Sequence, residues 1–445
     1  MKDRFLRIFR LRPGESRLVF TMGFLLLANS LALSIVEIVS VSGFISEVGV
    51  EEFLLVWIAD MALLMLTTGL QSLIVDRFER VAFLRWMTLL FAIIYVILRL
   101  FFVFGVPSSV TYTALFLLVD QQFIFFPLIF WILANDTFDM AQAKRLFPVI
   151  ASFRFVGRIG GFGIAAVAPA VLDRLNIPSA ELLSVVVVVY LIAFVVISRG
   201  LRNINVRKTV RRKESVREAL TEGWGFIREV PSFRFLILAM AMLAVGFTIV
   251  EYYFFVVSNQ EIASPDDFQT FYSLYSLGFT VLAIVMQSLF TSRIINRLNL
   301  KNVFMVFPIS LLIGAGLIAL GPSSIYLVIA GLAFPRLLKE TIDQSARSSL
   351  QALVPEERRG RVSMFMDSYL FAGGAIIGSV LAGIFIWSGQ AGNALAYSYL
   401  SITGVCALSA IWFTYRMRGV YDTSLLNWRL KRRKRGSDVL SKLEF

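Results

Sequence analysis

Residues 182–196 run Leu-Leu-Ser-Val-Val-Val-Val-Val-Tyr-Leu-Ile-Ala-Phe-Val-Val. A half-buried strand would alternate apolar and polar side chains, and a membrane barrel strand would do so at period two. This stretch is apolar on every side. Hydrocarbon offers no water to satisfy backbone groups, so a segment of this kind spans lipid as a helix. Working outward, runs long enough to cross roughly 30 Å of hydrocarbon, about 20 residues each, recur over residues 17–44, 53–75, 82–105, 109–134, 147–172, 180–198, 235–258, 268–291, 302–321, 323–339, 362–388 and 393–416. The expected fold is an all-α polytopic bundle of twelve transmembrane helices.

The composition agrees. Of 445 residues, 58% are apolar and 16% charged, whereas soluble domains carry roughly 45–50% apolar and about 25% charged residues. The single cysteine, Cys406, excludes an internal disulfide, and the absence of histidine removes the usual zinc and iron ligands. No nucleophile with a base, metal-ligand cluster or cofactor fingerprint is visible, so neither an enzyme nor a cofactor is expected.

The net charge of +13 is distributed unevenly. Lys2, Arg4, Arg7, Arg10, Arg12 and Arg17 precede or open the first span, and Arg77, Arg80 and Arg85 follow the second. Lys144 and Arg145 follow the fourth, ten cations lie between Arg199 and Arg234, and Arg293, Arg297, Lys301, Arg358, Arg359 and Arg361 continue the series on the same side. The alternate side carries Arg174 beside acids such as Glu47, Glu51, Glu52, Asp266 and Asp267. The positive-inside rule places both termini and the central link in the cytoplasm of a plasma (bacterial inner) membrane. The basic start resembles a signal peptide, but its apolar run is longer than a signal's core and no small-residue cleavage pattern follows, which predicts an uncleaved helix.

The expected organisation is a cytoplasmic segment over 1–16, six-helix halves over 17–198 and 235–416, a basic linker over 199–234 and a basic tail over 417–445. Ser34-Ile35-Val36-Glu37 recurs as Thr248-Ile249-Val250-Glu251, 214 positions later. Asp136-Thr137-Phe138-Asp139 ends span four as Glu340-Thr341-Ile342-Asp343 ends span ten, and spans five and eleven carry the small-xxx-small pairs Gly157/Gly161 and Gly374/Gly378. A duplicated six-helix half is the plan of major facilitator transporters. Within the linker, Val216, Leu220, Trp224 and Ile227 stand near helical spacing, which predicts an amphipathic helix against anionic lipid head groups. Lipid, not nucleic acid, is also the expected partner of the Lys431–Arg435 run.

Arg12-Pro13-Gly14-Glu15, the segment Phe130-Trp131-Ile132-Leu133-Ala134-Asn135-Asp136 leading to Ala143-Lys144-Arg145-Leu146-Phe147-Pro148, and Ser215-Val216-Arg217-Glu218-Ala219-Leu220 together resemble the ATP/ADP translocase-like branch of the major facilitator superfamily. The resemblance covers residues 10–416 and implies exchange of nucleotides or organic anions by alternating access. Its motifs mark the branch without fixing a substrate. Nucleotide exchangers of this type carry basic residues in the first helix, where this chain has Glu37.

An ionisable side chain within a membrane helix costs at least about 2.5 kcal/mol, so each is a functional candidate. Glu37 and Glu251, with Tyr252 beside the second, hold matching places in spans one and seven; they either couple proton movement to transport or neutralise a buried arginine. Arg154 and Arg158 share a face of span five among glycines, which suits an anionic substrate or a gate paired with Asp120, Asp136 or Asp139. Asp120-Gln121-Gln122 point in different directions, so at least one is expected to face a wet cavity. Arg99 is matched with Asp120 or Asp60, and Arg336 and Lys339 are expected to snorkel to the surface. Asp76, Arg77, Arg80, Arg99, Asp136, Asp139, Glu340 and Asp343 form the gating candidates.

The expected function is a secondary transporter of a small organic anion or nucleotide-like metabolite, by exchange or proton coupling. A lipid flippase and a non-transporting sensor or scaffold are the alternatives. The oligomeric state is open, and a monomer is compatible with the sequence.

Overall fold

A computed structural model of the chain describes residues 15–74, 79–202, 225, 230–262, 264–351 and 362–441. The described residues form helical rods and no strand. The longer ones are α1 (Ser16–Glu47), α2 (Phe53–Ile74), α3 (Arg80–Val103), α4 (Ser108–Thr137), α5 (Met140–Arg174), α6 (Leu182–Gly200), α7 (Pro231–Glu261), α8 (Pro265–Met286), α9 (Val306–Ala319), α10 (Ile325–Leu338), α11 (Leu370–Trp387) and α12 (Gly392–Ser441), with short helices such as Ser292–Leu298 and Leu300–Val303 between them. Ten helices among the described residues are long and apolar enough to cross a membrane, and Phe53–Gly69 is a shorter apolar helix. The chain is an integral membrane protein.

Three rods contain a π-helical turn. One follows α8 at Gln287–Thr291, one follows α10 at Lys339–Asp343, and one precedes α11 at Phe365–Tyr369. The 14 residues of α10 gain reach this way, continuing through the π turn into Gln344–Gln351. α12 runs unbroken to Ser441, so the segment from residue 417 extends the last helix. The linker helix expected over 215–230 lies outside the described residues except for 225 and 230.

The described residues fall into two compact units. The first draws on Met1–Val56, Gly69–Glu214 and Ser258–Ile284, the second on Trp57–Thr68, Ser215–Val257 and Val285–Phe445. In the first, α1 is the central rod and packs on α4, α5 and α6. The apolar windows of α1 and α7 are 72% and 67% buried, against 22–50% for the other eight spans. These two helices therefore have little surface left for lipid, and they can carry polar groups such as Asn29, Ser34, Ser40 and Thr248 away from hydrocarbon. Exposed Leu66, Val167, Val188, Val405 and Leu408 supply the lipid-facing surface.

The paired glycines set the closest approaches. A Cβ on Gly157 would lie 2.3 Å from the Leu27 carbonyl oxygen, and one on Gly161 would lie 2.6 Å from that of Leu31 and 2.8 Å from Ser34 Cβ. In the second unit, Gly374 faces the Ala241 carbonyl at 3.2 Å, and Gly378 faces that of Val245 at 2.9 Å with Thr248 Cβ at 3.0 Å. Each partner on α7 stands 214 positions after its counterpart on α1, the same offset that relates Glu37 to Glu251. The sequence duplication is thus a duplication of one helix contact, α5 on α1 and α11 on α7.

Gly157→Ala should lower stability by about 1–3 kcal/mol, because the added methyl meets backbone instead of a side chain that can turn away. Gly163, with no neighbour within 4 Å, should tolerate alanine. Thermal unfolding of the two variants in detergent, followed by intrinsic fluorescence, compares them; equal melting temperatures would contradict the close contact.

Candidate functional site

In the first unit, three helices each turn one stripe toward a common cavity of about 140 Å³. α1 supplies Leu26, Asn29, Ser30 and Leu33, in which 26/29/33 and 26/30/33 step by three or four and so share one broad face. α4 supplies Phe123, Pro127 and Trp131, and α5 supplies Ala151, Arg154 and Phe155. The Arg154 guanidinium stands 5.4 Å from the Phe123 ring centre, a cation–π distance. Arg158, one turn further on, stands 5.5 Å from its own neighbour Phe162 and does not line this cavity.

Behind the cavity lies a fully buried set of uncharged polar groups. Tyr190 donates to Asn29 Oδ1 at 2.9 Å, Gln122 Nε2 donates to the same oxygen at 3.4 Å, and the Tyr95 hydroxyl donates to Gln122 Oε1. The Tyr95 and Tyr190 rings stack with centres 5.9 Å apart. Four helices, α1, α3, α4 and α6, are tied together this way. In so dry a place each unmade hydrogen bond would cost about 1–3 kcal/mol, so the network fixes rotamers as well as helices. Of the three polar groups at 120–122, Gln122 is the one absorbed here. Asp120 is half-buried and does not line the cavity, while the Gln121 amide is buried with no hydrogen-bond partner among the described residues.

The second unit concentrates charge. Arg336 pairs with Glu251 at 3.6 Å and with Glu340 at 3.2 Å. Lys339 places its ammonium 3.8 Å from the Phe247 ring centre and 4.7 Å from that of Phe371. Arg347 bridges Asp343 at 2.9 Å and Asp367 at 2.6 Å, and Gln351 donates to the other Asp367 oxygen at 2.8 Å. Lys339, Glu340 and Asp343 all sit in one π turn and Asp367 in another. A π turn holds one extra residue, which shifts the angular phase of the side chains after it; such turns gather at functional sites.

Several expectations are corrected by this geometry. Arg336 and Lys339 do not snorkel: one is held by two carboxylates and the other lies between aromatic rings, because partners close by are available to both. Arg99 pairs with Glu181 at 2.7 Å and with Ser184 at 2.8 Å, not with Asp120 or Asp60, since it stands near the end of α3 beside the start of α6. Asp139 caps α5, accepting from the Gln142 amide at 2.7 Å, with the Gln142 side chain returning to the Asp139 amide in a capping box. Tyr252 is wholly buried against Tyr399, ring centres 6.1 Å apart, and is not among the residues lining the cavity of the first unit.

Other candidates fall as follows. Arg80 reaches Asp136 at 3.5 Å across the start of α3 and the end of α4. Arg145 pairs with Glu15 at 2.6 Å. Glu37 is half-buried in α1. Asp76 and Arg77 lie outside the described residues. Sequence reasoning missed Asn29, Tyr95, Tyr190 and Arg347. Only Arg347 left a trace, standing four residues after Asp343 on a helix.

No protein-family model matches the chain, and no curated protein matches it in sequence. Solved structures do match in fold. A point mutant of the nucleoside transporter NupG superposes with a TM-score of 0.67 at 12% identity, over 91% of this chain and 100% of that one. A bacterial homologue of the iron transporter ferroportin, in its inward-facing state, gives 0.63 at 14% identity over 90% and 98%. A bacterial homologue of the human lysosomal transporter Spinster gives 0.59 at 14% over 93% and 97%. With apolar helices throughout and these likenesses spanning nearly its whole length, the chain has the major facilitator fold.

Proposed function

We propose that the protein is a secondary transporter that carries a small organic anion by alternating access. The observation that carries this reading is the Arg154 cavity: one guanidinium, one amide and one hydroxyl set into an otherwise apolar and aromatic pocket inside a membrane bundle. A cation costs too much in such a place to be kept without use. Its fork suits a carboxylate or phosphate, and Phe123 and Trp131 make the lining aromatic. The nucleotide-like substrates suggested by the translocase resemblance belong to this class, and the nucleoside transporter NupG shares the fold. The distribution of cations along the sequence supports an orientation with both termini in the cytoplasm.

The second unit supplies the natural gate. Glu251, Arg336, Glu340, Asp343, Arg347 and Asp367 form ion pairs whose exchange between partners would accompany a change of state. Arg80 with Asp136 is the corresponding element of the first unit.

Uptake of labelled aromatic acids and nucleotides into vesicles reconstituted with the purified protein tests the reading. At least one should be taken up saturably, and Arg154→Gln should raise its KM about 10–100-fold, the loss of one charge-assisted hydrogen bond. Uptake indifferent to Arg154→Gln would remove the cavity from the mechanism. Arg347→Gln should instead slow turnover severalfold at nearly constant KM; a change in KM alone would argue against gating. Glu37→Gln and Glu251→Gln should each reduce uptake, and normal rates in both would exclude a coupling role.

A further inference from the structure

The three π turns, Gln287–Thr291, Lys339–Asp343 and Phe365–Tyr369, all belong to the second unit. Each shows the five-residue reach of π geometry. The Gln344 amide donates to the Lys339 carbonyl and the Leu370 amide to that of Phe365, while the Thr291 hydroxyl donates to the Met286 carbonyl at 3.1 Å. In α10 a proline contributes: Pro335 has no amide proton for the Gly331 carbonyl, so the α ladder is already open one turn before Lys339.

Side chains at the turns tie them to one another. Gln287 opens the first and donates to Ser345, two residues past the second, at 3.4 Å. Lys339 opens the second and lies 4.7 Å from the ring centre of Phe371, two residues past the third. Arg347 holds Asp343, at the end of the second turn, at 2.9 Å and Asp367, inside the third, at 2.6 Å; Gln351 holds the other Asp367 oxygen at 2.8 Å. Such ties depend on angular phase. A π turn carries one extra residue, and passing it along the helix rotates the segment behind it by about 100° and shifts it by about 1.5 Å. Arg347 rotated by that angle would leave Asp367, and Ser345 would leave Gln287. One turn therefore cannot relax to α geometry without breaking its ties to the others.

We infer that the three π turns are one register switch, in which π and α forms interconvert together and the ion pairs of Arg347 hold the π form. Register shifts of helices run over microseconds to milliseconds, the range of a change of state in a membrane bundle. The role of the switch rests on the gate reading of this unit; its existence does not.

Hydrogen exchange of the purified full-length protein, read by mass spectrometry at alkaline pH where labelling follows each opening, tests the coupling. Segments 287–291, 339–343 and 365–369 should be labelled together, at one rate. Deletion of Thr341 removes the extra residue, which leaves the flanking segments of α10 in their present phase but in ordinary α geometry. It should slow labelling severalfold in all three segments. Arg347→Gln keeps the chain length and decides the question if the deletion variant does not fold. It should speed labelling of all three, 287–291 included, although none of the bonds of Arg347 described above reaches that turn; a purely local role would leave 287–291 unchanged. Unrelated rates in the three segments, or variants whose effect stops short of 287–291, would overturn the inference. Shared rates together with normal turnover in Arg347→Gln would leave the switch standing and refute the gate reading alone.

Discussion

The backbone of α5 rests on the carbonyl oxygens of α1 because Gly157 and Gly161 carry no side chain there. That contact fixes how far apart the two helices stand. One turn before Gly157, Arg154 is delivered beside Asn29 and Ser30, and the space left between α1, α4 and α5 becomes the cavity. A larger residue at either glycine would part the helices and disperse the donors. In lipid, where burying apolar surface against a neighbour gains little over leaving it in hydrocarbon, such close packing is a main source of helix association.

The second unit repeats the contact but uses it differently. Gly374 and Gly378 bring α11 onto α7 at positions 214 residues beyond those of α1. The cations described in that unit stand on other helices, however: Lys339 follows α10 and lies between Phe247 and Phe371, while Arg336 meets Glu251. One unit thus keeps a polar-lined pocket with a neutral buried network, and the other a string of ion pairs through two π turns. A shared scaffold with divergent polar content fits a division of labour between holding a ligand and changing state, which is the sense in which function is grafted onto a fold.

Buried polarity in this protein is of two kinds with different consequences. The Asn29–Gln122–Tyr95–Tyr190 set is neutral, so it can be sealed from water at modest cost if every bond is made, and it then acts as a rigid brace. The Arg347 cluster is charged and partly open, with Asp367 about half as exposed as a free side chain. Charged pairs near water can exchange partners at small net cost, whereas a neutral network in a dry core cannot. The brace suits a binding surface and the cluster suits a moving one.

Much of the fold was legible along the chain, because membrane burial writes itself as long apolar runs and because matching motifs, Glu37 with Glu251 and the two glycine pairs, recur along it. Arg154, Glu251, Glu340 and Asp343 were visible as charges where hydrocarbon should exclude them. Asn29, Tyr95 and Tyr190 were not, since a lone asparagine or tyrosine in an apolar helix has no periodicity and no charge to betray it, and the partners of Asn29 lie 93 and 161 positions away. Nor could local spacing tell that Asp139 caps a helix, that Arg99 turns to Glu181, or that Lys339 lies between two rings. The sequence by itself determined that this is a helical membrane protein and which charges would be costly. Only the tertiary structure decided which partners each polar group meets, because hydrogen bonds and ion pairs act over a few ångströms between residues that only folding brings together.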